Sequence, residues 1–193
     1  MANMPAHERR RQIVEAAVVV MREVGLEGAS IRRIATQAGA PLASVHYTFR
    51  DKDELFAAVY AHWVEGMADL LAGLVPDRCG LEAGVRNLAT GFFDWITADP
   101  TLGLAEYELV LWAARNQPTG LSGSIYDSFD AVCRDALRRA STGEHDDQAL
   151  AEVTEILISA LDGILLRFLV ERDADAARRN LERFITIALS AAR

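Results

Sequence analysis

Apolar residues recur along this chain at spacings of three and four over most of its length, the period of helices with one buried face, and the alternation of two that marks strands is missing. The first stretch predicts a helix over about 7–24, with Ile13, Ala16, Ala17, Val20 and Val24 as its buried stripe. A shorter helix follows Ser30, a good N-cap after the Glu27-Gly28-Ala29 break, and carries Ile31, Ile34, Ala35 and Ala38 at helical spacing. Gly39 ends it. Pro41 suits the first turn of a new helix, where its missing N–H costs nothing, so Ala38-Gly39-Ala40 reads as a tight turn between two short helices. The new helix, about 41–49, places Leu42, Val45 and Phe49 on one face and leaves Ser44, His46, Tyr47 and Thr48 more exposed. Asp51 and Glu54 then form an Asp-x-x-Glu capping box that opens a helix through Leu55, Phe56, Val59 and Trp63, continuing to about 74.

Further helices are predicted over about 81–98, 101–116, 122–140, 147–171 and 174–192. Between them stand Pro76-Asp77-Arg78-Cys79-Gly80, Asp99-Pro100, Gln117-Pro118-Thr119-Gly120, Ser141-Thr142-Gly143 and Arg172-Asp173. The reading is all-α with about nine helices, and nothing repeats. The two short helices across their turn, with a third behind them, make a helix-turn-helix.

That stretch resembles the N-terminal domain of tetracycline-repressor (TetR) family transcription regulators. The family pattern runs roughly Ile-Ala, Ala-Gly-Val-Ser, three variable residues, Leu/Ile-Tyr-x-x-Phe, two residues, Lys, two residues and Leu. Ile34, Ala35, Ala38, Gly39, Tyr47, Phe49, Lys52 and Leu55 match it. Ala40, Pro41, Ala43 and His46 depart from it, on or beside the reading helix, so no relative's operator carries over. The motifs cover about residues 8–63, and the remainder is similar in length and helical layout. The resemblance implies a three-helix DNA-binding domain at 1–50, a helix from about 51 linking it to the rest, and a helical effector-binding and dimerisation bundle over 51–193. It further implies a homodimeric repressor on a palindromic double-stranded DNA operator, needing no cofactor and released by a small, largely apolar molecule. Effector binding would move the helix that starts at Asp51 and spoil the spacing of the two heads.

On the head, Arg32, Thr36, Ser44, Tyr47 and Lys52 are candidates for phosphate and positional contacts, with Leu42, Ala43, His46 and Thr48 nearer the bases. His46 has a second reading as a partly buried packing residue. Lys52 is the only lysine in the chain and stands near a helix N-terminus, where free backbone N–H groups favour phosphate. Arg9, Arg10 and Arg11 crowd the first turn of helix 1, where cations oppose the helix dipole; a phosphate neighbour explains them better than folding does, and a solvated start is the other reading.

Charge changes the picture once it is divided. The chain carries −8 overall, which disfavours nucleic acid, yet residues 1–50 hold seven arginines against four glutamates, a net of +3, leaving −11 on the other 143 residues. Its 193 residues, 51% hydrophobic and 25% charged, describe a globular protein with a sizeable core. No signal peptide or membrane span is apparent, and a cytoplasmic location is expected. Cys79 and Cys133 match no metal or redox spacing and read as small buried apolar residues.

Half of the 14 aromatic residues fall within the 38 residues from Phe92 to Phe129. Phe92, Phe93, Trp95, Tyr107, Trp112, Tyr126 and Phe129 suit either an effector pocket or plain core. Arg86, Asn87, Glu108, Arg115, Asn116 and Asp162 are candidate anchors for such a pocket. The last two helices carry wide apolar faces, which fit a four-helix dimer interface or an intrachain core. Leu157, Leu161, Ile164, Leu165, Phe168, Leu181, Phe184, Ile185 and Ala188 are the residues expected at the interface.

An enzyme is disfavoured. His7, His46, His62 and His145 show no His-Glu-x-x-His spacing, and neither a phosphate-binding glycine loop nor a Gly-x-Ser-x-Gly elbow is present. The remaining alternative is a helical small-molecule-binding or dimeric interaction protein without DNA regulation.

Overall fold

The computed structural model describes residues 4–116, 125–143 and 145–191, which contain nine α-helices and no strand. They are α1 (Ala6–Gly28), α2 (Ile31–Gln37), α3 (Leu42–Thr48), α4 (Lys52–Leu74), α5 (Leu81–Ala98), α6 (Pro100–Asn116), α7 (Ile125–Ala140), α8 (Asp147–Glu171) and α9 (Ala174–Ala191). The predicted start of the seventh helix at 122, like the Gln117-Pro118-Thr119-Gly120 break, lies outside the described residues. Among the described residues no helix is long and apolar enough to cross a membrane. The chain divides into two compact units, Met1–Trp63 with Thr101–Ile125, and Val64–Pro100 with Tyr126–Arg193.

In the first unit α1 buries Ile13, Val14, Ala16, Ala17, Val20 and Met21 against α2 and α3. Val24, expected in the buried stripe, is 43% exposed. The cause is a break one residue later: Gly25 takes φ 72° and ψ 172°, and the chain resumes one more turn to bury Leu26. This break frees the Leu26 N–H, which donates to the Glu108 carboxylate of α6 at 2.6 Å. Ser30 caps α2 by accepting from the Arg33 N–H, and Gly39, at φ 57°, makes the turn that a side chain would strain. Gln12 reaches from α1 to donate to the Ala38 carbonyl at 2.8 Å, fixing that turn from behind. Asp51 opens α4 by accepting the Glu54 N–H at 2.8 Å, while the Glu54 side chain reaches back to the Arg50 N–H, one residue before the cap. Trp112 of α6 meets Phe56 of α4 edge-on at 5.0 Å.

In the second unit α5, α8 and α9 pack on one another. Arg86 pairs with Glu182, and Arg178 pairs with Asp94 while lying over the Phe93 ring. The 76–80 connection completes α7: the Arg78 and Gly80 N–H groups donate to the Arg139 and Ala140 carbonyls, which have no acceptor-satisfying turn ahead of them. Asp146 caps α8, Arg172 ends it in the left-handed region, and the Asp173 carboxylate accepts the Ala176 N–H at the head of α9. Cys133 is buried as expected, and its thiol is pushed up to about 12 by that burial, whereas Cys79, expected to be buried as well, is only half-buried.

Two glycines of α5 separate helix propensity from packing. Alanine normally stabilises a helix interior relative to glycine by about 1 kcal/mol. A Cβ at Gly84, however, would stand 2.6 Å from the Ala140 Cβ, which cannot rotate away, whereas at Gly91 it would meet only the tip of the Leu74 side chain, itself 37% exposed. Gly84→Ala is therefore expected to destabilise by about 1–3 kcal/mol through overpacking, and Gly91→Ala to be neutral or stabilising. Urea unfolding of the two variants checks the opposite signs.

Candidate nucleic-acid interface and effector site

The reading helix α3 is held by a small apolar footing. Val45 is buried, as is Phe49 just beyond the helix, and the remaining side chains of α3 turn toward solvent to different degrees. Tyr47 is 93% exposed, and Ala43 and His46 are exposed with it. The packing reading of His46 is thereby corrected. Leu42, placed by its spacing on the buried face with Val45 and Phe49, is also exposed, because Pro41 starts the chain into α3 before that residue reaches the core. Arg32 and Thr36 are exposed on α2, where the Thr36 hydroxyl donates to the Arg32 carbonyl. Ser44 and Thr48 are half-buried, and the Thr48 hydroxyl donates to the Ser44 carbonyl at 2.8 Å, which leaves its oxygen lone pairs rather than its proton for a neighbour. Lys52 is half-buried with its Nζ 4.7 Å above the Phe56 ring.

Beside α3 lies an open groove of about 980 Å³ lined by Met4, Pro5, Ala6, His7, Arg9 and Arg10 from the start of α1 and by Ala43, Ser44, Tyr47 and Thr48 from α3. Residues distant in sequence thus share one surface with the reading helix. His7 was missed as a member of it because a lone histidine carries no spacing signal.

The three arginines do not act alike. Arg11 pairs with Glu15 and is well exposed, and Arg9 donates to Gln12. Arg10 is turned inward: its guanidinium lies 4.3 Å from the Phe49 ring centroid, reaches the Thr48 carbonyl at 3.4 Å, and pairs with Glu54 at 3.2 Å. The Arg50 N–H and Arg10 together hold the Glu54 carboxyl below its usual range. Arg10, 44% exposed and lining the groove, therefore also makes contacts within the fold, beside the explanation by a phosphate neighbour.

The effector candidates divide between the units. In the second, the Phe92 ring lies 5.9 Å from Trp95 and 5.4 Å from Phe129, and the Tyr126 hydroxyl donates to the Asp162 carboxylate at 2.7 Å. Asp130 is raised above its usual value by burial, against the lowering effect of Arg134, and Asp127, Glu155 and Asp162 add to the rise. Phe92, itself only 5% exposed, thus joins the half-buried Trp95 and Phe129 in one aromatic cluster, and Tyr126, which holds Asp162, stands one turn before Phe129 on α7. Phe93 does not present itself to this cluster: the ring is 1% exposed and packs against Phe168 and Arg178. Arg86 is committed to Glu182, and Asn87 is half-buried on the same helix.

In the first unit, Glu108 is occupied in holding the Leu26 N–H, and Trp112 in packing on Phe56. Tyr107 is half-buried, Arg115 is exposed, and Asn116 donates to the Trp112 carbonyl at the end of α6. Trp63, which the sequence reading passed over as core, is 7% exposed, and its indole N–H finds no acceptor among the described residues.

Most of the residues expected at a dimer interface are consumed within the second unit. Leu157, Leu161, Leu165, Phe168, Leu181 and Ile185 are each at most 5% exposed in the single chain. Ile164, Phe184 and Ala188 are half-buried. Ile156, Gly163, Leu166 and Val170 on α8 and Ile187 on α9 are exposed, and Ile156 and Ile187 line one apolar groove with Leu157, Phe184 and Ala188. Spacings of three and four place several of these apolar residues on one stripe of α8.

Residues 13–59 match the profile of bacterial regulatory proteins of the tetR family, and residues 80–190 match that of the tetracyclin repressor-like C-terminal domain. The chain is 31% identical over 165 residues to the nicotine-responsive transcriptional repressor HdnoR of Paenarthrobacter nicotinovorans, covering 85% of each chain. To the transcriptional repressor Rv1474c of Mycobacterium tuberculosis it is 32% identical, covering 82% of this chain and 81% of the relative. Its fold is similar to that of the multidrug binding protein EbrR complexed with ethidium, with a TM-score of 0.70, 29% identity, and coverage of 92% of this chain and 98% of that one.

Substitutions at His46 and Lys52 test two kinds of expected contact with DNA. His46→Ala is expected to change the ranking of duplexes that differ by single base pairs, and Lys52→Ala to weaken all duplexes alike and flatten the salt dependence by about one unit of slope. Binding titrations across a duplex series at several salt concentrations check both, and equal loss on every sequence for His46→Ala would remove its base-reading role.

Proposed function

The chain belongs to the tetR family of bacterial regulatory proteins, and on that premise we propose that it is a homodimeric repressor that leaves its palindromic operator when it binds a flat, largely apolar organic cation. It is a helix-turn-helix DNA-binding transcriptional regulator and not an enzyme. The single observation that carries the effector class is the Phe92, Trp95 and Phe129 cluster, with Asp130 following Phe129 on α7 and Asp162 held by Tyr126 one turn before it. Aromatic faces attract cations, and carboxylates crowded by other carboxylates gain from a positive partner. The relatives agree in kind: one is named for its response to nicotine, a basic amine, and another is seen with ethidium, a flat aromatic cation.

Two heads are needed because one short reading helix spans only a few base pairs, and linking a second raises affinity without new contacts. Half-sites one turn apart would set the reading helices roughly 34–36 Å apart. The exposure of the apolar Ile156, Leu166 and Val170 on α8, and the apolar groove that Ile156 shares with Phe184, Ile187 and Ala188, support a face for the second copy. On this reading α4, whose residues fall in both compact units, is the element that an effector displaces, and a few kcal/mol of differential binding suffices.

Anisotropy of the full chain on duplexes tiled from the region upstream of its gene, with salt titration and competitor, tests the regulator: sequence-selective, salt-sensitive binding is expected, and only sequence-blind binding would count against it. Replacing Val170 and Ile187 together by Asp is expected to give a monomer by sedimentation, with operator affinity lower by on the order of 100-fold. For the effector, quenching of tryptophan fluorescence by malachite green is expected to weaken about tenfold in Asp162→Asn, while a neutral aromatic of similar size binds both proteins equally. An equal response to charged and neutral probes would refute the cationic class.

A further inference from the structure

We propose that Arg10 is a positioning residue for DNA reading: its guanidinium joins the end of α3 to the start of α4 and so fixes the angle at which α3 presents Tyr47, His46 and Ala43. The proposal rests on the reading of α3 as the DNA-recognition helix. A helix of seven residues cannot hold itself together, because nucleation takes up most of what its few hydrogen bonds return. Its core contacts are Val45 within the helix and Phe49 just after it, both near the same edge, which pins α3 along a line but leaves rotation about that line weakly opposed.

Arg10 supplies the missing constraint from a third element. The face of its guanidinium covers the Phe49 ring, one N–H points to the Thr48 carbonyl that the helix end leaves unsatisfied, and the same nitrogen meets the Glu54 carboxylate. Glu54 is itself fixed, since its other oxygen accepts the Arg50 N–H and its own N–H is held by Asp51. The chain from α1 to α3 to α4 is therefore closed through one planar group. A lysine could keep the charge but not the stacked plane with its forked donors. With its charge matched by Glu54, Arg10 differs from Arg9, which lines the same groove and bonds only the neutral Gln12 among the described residues.

The test uses the full chain, a duplex selected by the protein from a random pool, and a scrambled duplex of the same length and composition. Arg10→Lys and Glu54→Gln are each expected to lose about tenfold on the selected duplex, to change by less than about twofold on the scrambled one, and to keep the wild-type salt slope. Glu54→Gln is the decisive variant, because removing a carboxylate near DNA should strengthen binding if only charge mattered. A phosphate role would appear instead as a shallower slope and equal loss on both duplexes for Arg10→Lys, with a gain for Glu54→Gln, and would overturn the proposal. Hydrogen exchange of the free protein gives a second arm: faster exchange of the Val45–Phe49 amides in both variants, with α8 unchanged, supports the latch, and unchanged protection of α3 refutes it. Should the wild type select no duplex, the DNA-reading function fails while the exchange arm still decides whether Arg10 holds α3.

Discussion

The structure of the head depends on a limit set by helix length. α2 and α3 have seven residues each, too few to be stable alone, so their shape must be imposed by neighbours. α1 does most of this, burying its long apolar face under both helices and sending Gln12 to the turn and Arg10 to the end of α3. This arrangement leaves the reading face free to vary in chemistry while the footing of Ile34, Val45 and Phe49 is fixed by packing.

The same economy appears where helices end. Two breaks in the chain hand an unsatisfied backbone group to a residue distant in sequence. Glu108 takes the N–H released by the Gly25 break, and the 76–80 connection supplies donors to the last carbonyls of α7. Near neighbours do the rest, with Ser30, Asp51, Asp146 and Asp173 capping the helices that follow them. Backbone polarity, more than surface ion pairing, decides where these elements begin and stop.

Local signals were legible in the sequence, and long-range ones were not. Ser30, Gly39, Asp51 and Arg172 announce boundaries through chemistry that acts within a few residues, and the helices appear where those signals placed them. The burial of Val24 was misjudged because periodicity assumes a continuous helix, and the Gly25 break resets the phase. On α8, apolar residues surround much of the helix, so sequence showed that two faces were apolar but not which one the chain uses itself; Leu157 and Leu161 went inward and Ile156 and Leu166 did not. Arg10 was indistinguishable from Arg9 and Arg11 for a simpler reason, since only the folded chain brings Phe49 and Glu54 to it.

Lys52 has one more property that follows from arithmetic. Nineteen of the twenty basic side chains are arginines, so the chain has a single side-chain primary amine, and it stands at the first residue of α4 over the Phe56 ring. Acyl transfer to lysine would therefore strike one position and remove one charge beside the reading helix, leaving every guanidinium as it was. A modification that is diffuse on most proteins is, on this one, confined to a single side chain.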